Sequence, residues 1–315
     1  MPVTLPEGYS WRRATPADAE EIFTLITRYN TEVLGFGDST LDEVRADLIE
    51  PGFDLATDSW LVHEPGGTLT GFGWAVGKGD GKETDVDVIS RDPSVIPWLF
   101  DQVLARAAEL ARAGGHATGL ADKGTYRDDT MMREAMTAAG FRSSTVFHRM
   151  RADHDGAMPE PTAPPGVTLR TGPGDDEFLR TAHTVLNDSF ADHYGWFAKS
   201  FADWRQTLEQ DSTFDWSMLT LAELDGTPAG VLIVTDQFVA DEKCGYVADL
   251  GVLSAARGRG IAKFLLRTAF RNDRAAGRSG TLLHVDTNNT TPALGLYESV
   301  GMRPVLVIDV WRREV

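Results

Sequence analysis

The chain carries one cysteine, Cys244, in 315 residues. A lone thiol excludes an intramolecular disulfide and fits a reducing compartment. With no histidine near it in sequence, it also lacks the partner that would make it a nucleophile. No apolar run approaches the roughly 20 residues that span a bilayer, and no basic-then-apolar leader opens the sequence, so a cytoplasmic protein without a membrane partner is expected. Positive charge is scarce: 30 Lys and Arg stand against 47 Asp and Glu, a net charge of −17 shared by both halves. Nucleic acid requires a basic footprint, so it is not an expected partner, whereas an amine-bearing substrate is tolerated. The histidines are scattered without the spacing of a zinc site, and no metal is expected.

What is present is ordinary globular material, enough for two domains of about 150 residues. A cryptic repeat of about 160 residues, longer than any solenoid period, points to a duplicated domain. Arg12-Arg13-Ala14-Thr15-Pro16-Ala17-Asp18 has a counterpart in Leu169-Arg170-Thr171-Gly172-Pro173-Gly174-Asp175, and Ala138-Ala139-Gly140-Phe141 in Ser299-Val300-Gly301-Met302. Glu64-Pro65-Gly66-Gly67 and Glu223-Leu224-Asp225-Gly226 each read as a hairpin turn. Residues 153–166, with Pro159, Pro161, Pro164 and Pro165, read as a linker between domains 1–152 and 167–315. Each half gives the order strand, one or two helices, three or more strands, turn, helix, strand, helix, strand. That order predicts an α/β chain of the α+β kind: a mixed, mostly antiparallel sheet with helices on both faces. Trp98, Phe100 and Leu104 share one helical face and are expected in the core.

The stretch around which the second half is organised is Arg257-Gly258-Arg259-Gly260-Ile261-Ala262. The apolar, β-branched run Tyr246 to Leu253 precedes it, and Phe264, Leu265, Ala269 and Phe270 recur with helical spacing after it. A strand therefore runs through a glycine turn into a helix. Glycines at 258 and 260 let the backbone turn tightly, so that successive N–H groups and the helix N-terminus face one anion, with Arg257 and Arg259 adding charge. Neither a Walker loop nor a dinucleotide fingerprint fits; the latter needs a third glycine where Lys263 stands.

The spacing Arg257, Gly260, Ala262 resembles the acyl-CoA loop of the GCN5-related N-acetyltransferases. A second segment, the strand Thr281 to Asp286 followed by Asn289, Ala293, Leu296-Tyr297 and Gly301-Met302, is similar to the other half of that family's signature. The resemblance is motif-specific over 245–302 and rests on element order elsewhere. It implies two tandem folds of this family, acetyl-CoA as cosubstrate, and transfer of the acetyl group to a primary amine of a small molecule by direct attack on the thioester. By the same resemblance, backbone groups of Leu250, Gly251 and Val252 pair with the pantetheine, and Arg257, Gly258, Arg259, Gly260, Ile261, Ala262 and Lys263 surround the pyrophosphate. Asn289 bonds the pantetheine or caps the following helix. Tyr297 lies beside the sulfur as the acid for the leaving thiolate.

The general base is less legible. Several family members carry a glutamate two residues before the position of Leu250, where this chain has Ala248. Asp249 is adjacent, but strand alternation sends it to the opposite face unless a bulge intervenes. Glu223, Asp286, His284 and His193 are the alternatives, as is a water chain. His193 and Trp196, with Tyr194 and Trp204, are candidates for an acceptor-site wall, and His284 and Asp286 for its other side. The acidic stretch Asp236 to Glu242 reads as a solvated loop.

Opposite the glycine loop the first half offers Arg91-Asp92-Pro93-Ser94-Val95-Ile96-Pro97, in which prolines remove donors and Asp92 adds negative charge. The first half is therefore expected to keep the fold and to have lost acetyl-CoA binding. This layout resembles that of the mycothiol synthases, which acetylate a cysteinyl amino-sugar. A non-catalytic acyl-CoA sensor or scaffold is the reading of a different class. A monomer is expected, with a homodimer as the alternative.

Overall fold

The computed structural model describes residues 3–156, 159–191, 196–287 and 293–315. The chain forms two compact units, residues 1–146 with 308–315 and residues 147–307. In the first unit the chain runs β1 (Ser10–Arg12), α1 (Ala19–Leu34), α2 (Leu41–Asp47), α3 (Leu55–Asp58), β2 (Ser59–His63), β3 (Leu69–Lys78) and β4 (Glu83–Ser90). It continues through α4 (Ile96–Ala113), β5 (Leu120–Tyr126), α5 (Thr130–Ala138) and β6 (Arg142–Asp153). The second half gives β7 (Val167–Thr171), α6 (Asp176–Phe190), α7 (Phe201–Gln210), β8 (Leu219–Leu224), β9 (Thr227–Thr235) and α8 (Val239–Glu242). It ends with β10 (Cys244–Val252), α9 (Ile261–Ala275), β11 (Gly280–Asp286), α10 (Ala293–Ser299) and β12 (Arg303–Glu314).

The expected mixed sheet is present in each unit. The first has the order β1-β2-β3-β4-β5-β12, the second β7-β8-β9-β10-β11-β6. Within each, β4/β5 and β10/β11 are the parallel pairs, and the other pairs are antiparallel. The structural cut differs from the division at 152 and 167. Residues 147–153 of β6 complete the second sheet against β11, and residues 308–314 of β12 complete the first against β5. Met150 and Ala152, fully buried in the second unit's core, explain why: that half of β6 alternates apolar residues inward against α9.

Helix α9 forms where the sequence places it. Gly258 and Gly260 take φ of +75° and +82°, a region that side-chain-bearing residues avoid, and the helix starts at Ile261. Ile261, Leu265, Leu266, Ala269 and Phe270 bury one stripe against Val247, Leu283 and Val285 of the sheet. Gly245 is required by a close approach: a Cβ there would lie 2.2 Å from Asp273 Oδ1. That buried carboxylate accepts from Arg278 Nη1 at 2.6 Å and from the Thr281 hydroxyl. Trp98, Phe100 and Leu104 of α4 are buried as expected. Among the described residues no helix is long and apolar enough to cross a membrane.

Candidate active site

Strands β10 and β11 pair in parallel only from Cys244↔Gly280 to Val247↔Leu283. Beyond that row the two strands part, while β10 stays paired with β9 as far as Val252↔Gly230. Leu253 N donates to Ala229 O on the β9 side. Amides alternate along a strand, so those of Val252 and Leu250 face the opened edge. The opening leads to the bend at 258–260. Among the described residues the amides from Gly258 to Lys263 have no backbone acceptor, and no side chain caps α9. This is a helix N-terminus with its orphan donors free to meet an anion. Arg259 and Lys263 pair with no carboxylate among the described residues.

Arg257 does something else. Its Nε donates to Val252 O at 3.1 Å and its Nη2 to Ser189 O at 3.2 Å, so it ties the end of β10 to the end of α6. Side-chain direction at the first residue of the loop is not written in the hexapeptide. Gly251 is packed equally tightly, since a Cβ there would meet Ser189 Oγ at 2.0 Å.

The bulge on which Asp249 depended is present. Val247 pairs with Val234 and Asp249 with Ile233, leaving Ala248 as the extra residue, exposed and unpaired. Tyr246 pairs with Thr235, two residues from Ile233, so the bulge puts Tyr246 and Asp249 on one face, the face packed by α6. Leu250 and Val252 turn to the α9 face. Asp249 is half-buried, and withdrawal from water raises its carboxyl to about 6, opposed by the positive charge of Lys199. Tyr297 on α10 packs against the α9-side cluster, and burial pushes its phenol up to about 12. Tyr297 and Asp249 both lie close enough to Tyr246 for their charges to raise its phenol further, although burial is the larger cause.

The other candidates divide. His284 is brought to the site but is spent on neighbours: its Nδ1 lies 2.9 Å from Tyr246 Oη, and its Nε2 accepts from Arg149 Nε at 3.1 Å. Burial and then the Arg149 charge lower it to about 3, which removes it as a base near neutral pH. Glu223 is not brought in. It accepts from Arg170 Nη1 at 3.2 Å near the β8/β9 turn, four residues along β8 from Leu219, which shares the row of Ile233 and Asp249. At about 3.3 Å per residue that is about 13 Å away. Asp286 ends β11, half-buried, opposite Phe147. Trp196 stacks on Phe190 of α6 at 4.7 Å, its Nε1 buried without a partner among the described residues. His193 and Asn289 lie outside the described residues.

The acidic stretch is not simply solvated. Asp236 accepts from Arg278, and Glu242 from Arg149 and Arg151. Cys244 is buried and its thiol is pushed up, chiefly by burial, which suits a packing role. Among the described residues no cluster of His, Cys, Asp and Glu suits a metal. The residues that sequence reasoning passed over are Tyr246, read only as part of an apolar strand, and Arg149 and Lys199, which no motif marks.

In the first unit the corresponding opening is filled. Strands β4 and β5 pair only from Glu83↔Leu120 to Asp85↔Asp122. Beyond, buried Lys123 donates to Asp87, while Asp129 accepts from Tyr29 Oη at 2.5 Å and Arg91 Nη1 at 2.9 Å. Asp92 O accepts from the amides of Val95 and Ile96, its carboxylate accepts from Tyr9 and Ser94, and Pro97 sits in the first turn of α4. No free row of amides is left there among the described residues.

The profile of the family described as Acetyltransferase (GNAT) family matches residues 185–302. The mycothiol acetyltransferase of Streptomyces griseus subsp. griseus is 30% identical over 234 residues, covering 68% of this chain and 74% of its own length. Other curated relatives of the same description reach 36% identity, but the matches span only 54%, 61% and 66% of their length. Among solved structures, a GCN5-related N-acetyltransferase from Sphaerobacter thermophilus superposes with a TM-score of 0.81 at 24% identity, covering 99% of this chain and 97% of its own. A tandem GNAT protein from the clavulanic acid biosynthesis pathway gives 0.72 at 16% identity, covering 97% and 98%. At those identities the likeness is one of fold.

Proposed function

Because the chain belongs to the acetyltransferase (GNAT) family, we propose that its second unit is an acetyl-CoA-dependent N-acetyltransferase acting on a primary amine of a small molecule, and that its first unit keeps the fold without a coenzyme A site. The observation that carries this reading is the opening of β10 from β11 after Val247, which runs from Asp249 and Tyr297 to the free amides of 258–263. Those amides suit a pyrophosphate, with Arg259 and Lys263 adding charge, and the free edge at Leu250 and Val252 suits the amides of a pantetheine arm. Acetyl-CoA, when bound, supplies the thioester that the amine attacks.

The chain's own residues then have three tasks. Asp249 accepts the proton of the attacking amine, directly or through water; with its carboxyl near 6 it is ionised at pH 7 yet basic enough to be useful. Tyr297 donates a proton to the departing sulfur, and burial keeps that phenol protonated until it is needed. The Val252 amide, facing the opened edge, is the available donor for the acetyl oxygen. The plugged opening of the first unit, closed by Lys123 with Asp87 and Asp129 with Arg91, supports one coenzyme per chain.

The relatives named mycothiol acetyltransferase favour a more specific acceptor, the amine of a cysteinyl amino-sugar, which belongs first in any panel. Calorimetry with acetyl-CoA should give one site per chain, and mass spectrometry of an amine panel should show a mass gain of one acetyl group. If acetyl-CoA binds and no amine, the amino-sugar included, is ever acetylated, the catalytic reading fails in favour of a sensor. A monomeric cytoplasmic enzyme is part of the same reading.

A further inference from the structure

Strand pairing places Arg149 of β6 directly opposite His284 of β11, and Tyr246 of β10 beside His284 on the same face. Arg149 Nε lies 3.1 Å from His284 Nε2. A guanidinium is a donor only, so Nε2 must accept, and a neutral ring then carries its single proton on Nδ1. Nδ1 lies 2.9 Å from Tyr246 Oη. With Nδ1–H as the donor, the Tyr246 oxygen is the acceptor, and the phenol's own O–H is released from the pair. Phe238 backs both ends of the chain, its ring 5.1 Å from that of Tyr246 and 4.5 Å from the Arg149 guanidinium. Glu242 holds Arg149 from behind, 3.3 Å from Nη1.

We propose that Tyr246 is a positioning residue for Asp249: fixed at its oxygen by the Nδ1–H of His284, it presents its O–H on the same face as a donor to the Asp249 carboxylate. The inference rests on Asp249 as the proton acceptor of the proposed reaction. Among the described residues the charged and titratable groups acting on this pair are Lys199, Tyr297 and Arg149, with Glu242 behind Arg149. Lys199 already favours the ionised carboxylate, and a hydrogen bond from Tyr246 adds to it and orients the oxygen that receives the proton. The bulge at Ala248 is what makes this possible, because without it Asp249 would be on the α9 face.

The test uses the full chain, with 13C-labelled aspartate and 15N-labelled histidine. The Asp249 carboxyl resonance is assigned with Asp249→Asn, and each variant is checked for an unchanged melting curve. In Tyr246→Phe the midpoint of Asp249 should rise by about half a pH unit or more, because a donor to the ionised form is gone. Two substitutions at 284 separate positioning from packing. Asn places an N–H near the site of Nδ1, whereas Gln offers Arg149 an acceptor near the site of Nε2 and leaves Tyr246 without its donor. His284→Asn should keep the wild-type midpoint, and His284→Gln should shift it as Tyr246→Phe does. With an amine substrate, Tyr246→Phe and His284→Gln should lower kcat about tenfold while leaving the Kd for acetyl-CoA unchanged. An Asp249 midpoint identical in wild type and folded Tyr246→Phe, or a 15N spectrum placing the His284 proton on Nε2, overturns the proposal. If the wild type acetylates nothing, the reaction assigned above fails, and the titration still decides the role of Tyr246.

Discussion

Asp249 owes its usefulness to an intermediate position, half out of water and opposite only one cation. A carboxyl raised to about 6 is mostly ionised at neutral pH, so amine acetylation should have an acidic limb with a midpoint near 6, the rate falling as pH falls. Asp249→Asn should remove that limb and lower kcat about 100-fold or more, which a pH series of kcat/KM would show. The stability sign is opposite. A folded-state pKa above the ordinary value means that the neutral form fits the fold better, so stability is lost as pH rises from the ordinary carboxylate range through 6. Asp249→Asn should therefore melt above wild type at pH 7, with the gap closing below about pH 4. Tyr297→Phe should lower kcat about 100-fold with unchanged Kd for acetyl-CoA, since it removes a donor for the sulfur and no contact with the pyrophosphate. Tyr297 was legible in the sequence because its motif fixes it on a helix after β11. Asp249 was legible only as a question, because Ala248 carries no residue-level signature of a bulge. The Arg149, His284 and Tyr246 chain was not legible at all, since its members are 97 and 135 residues from Arg149 in sequence and meet only through strand register.

At the scale of the element, the bend between β10 and α9 is the feature that sequence specifies best. A requirement for positive φ is met almost only by glycine, so Gly258 and Gly260 announce the turn. Gly260→Val places a β-branched residue at φ +82°, at a cost of about 1 to 2 kcal/mol, and crowds the amide row. Calorimetry should show the affinity for acetyl-CoA falling at least about tenfold, a loss of about 1.4 kcal/mol. The adjacent Arg257 was misread because residue type gives charge and not direction; its guanidinium is used up on the carbonyls of Val252 and Ser189. Gly245, in contrast, answers to a carboxylate on another element. Gly245→Ala would push a methyl group against Asp273 and should cost about 1 to 3 kcal/mol in a denaturant titration.

At the scale of the whole molecule, the duplication shows in the sequence and the boundary between its copies does not. A cut at the proline-rich stretch looks natural, yet it leaves residues 147–153 of β6 on the wrong side. The fragment 167–315 would expose the edge of β11 and lack Met150 and Ala152. A fragment spanning 147–307 should melt higher than 167–315 by more than about 10 °C. Equal melting of the two would show that β6 contributes little to the second sheet.

The sequence by itself determined what depends on a residue's own backbone and its near neighbours: the repeat, the glycine bend, the helix that follows it and the tyrosine of the last helix. Those features are readable because glycine, proline and apolar periodicity act over a few residues. Only the tertiary structure decided which half of each long strand completes which sheet, where the bulge turns Asp249, and that His284 is held neutral between Arg149 and Tyr246. Such outcomes follow from register between strands far apart in the chain, where burial and hydrogen bonding are settled jointly and no single segment carries the answer.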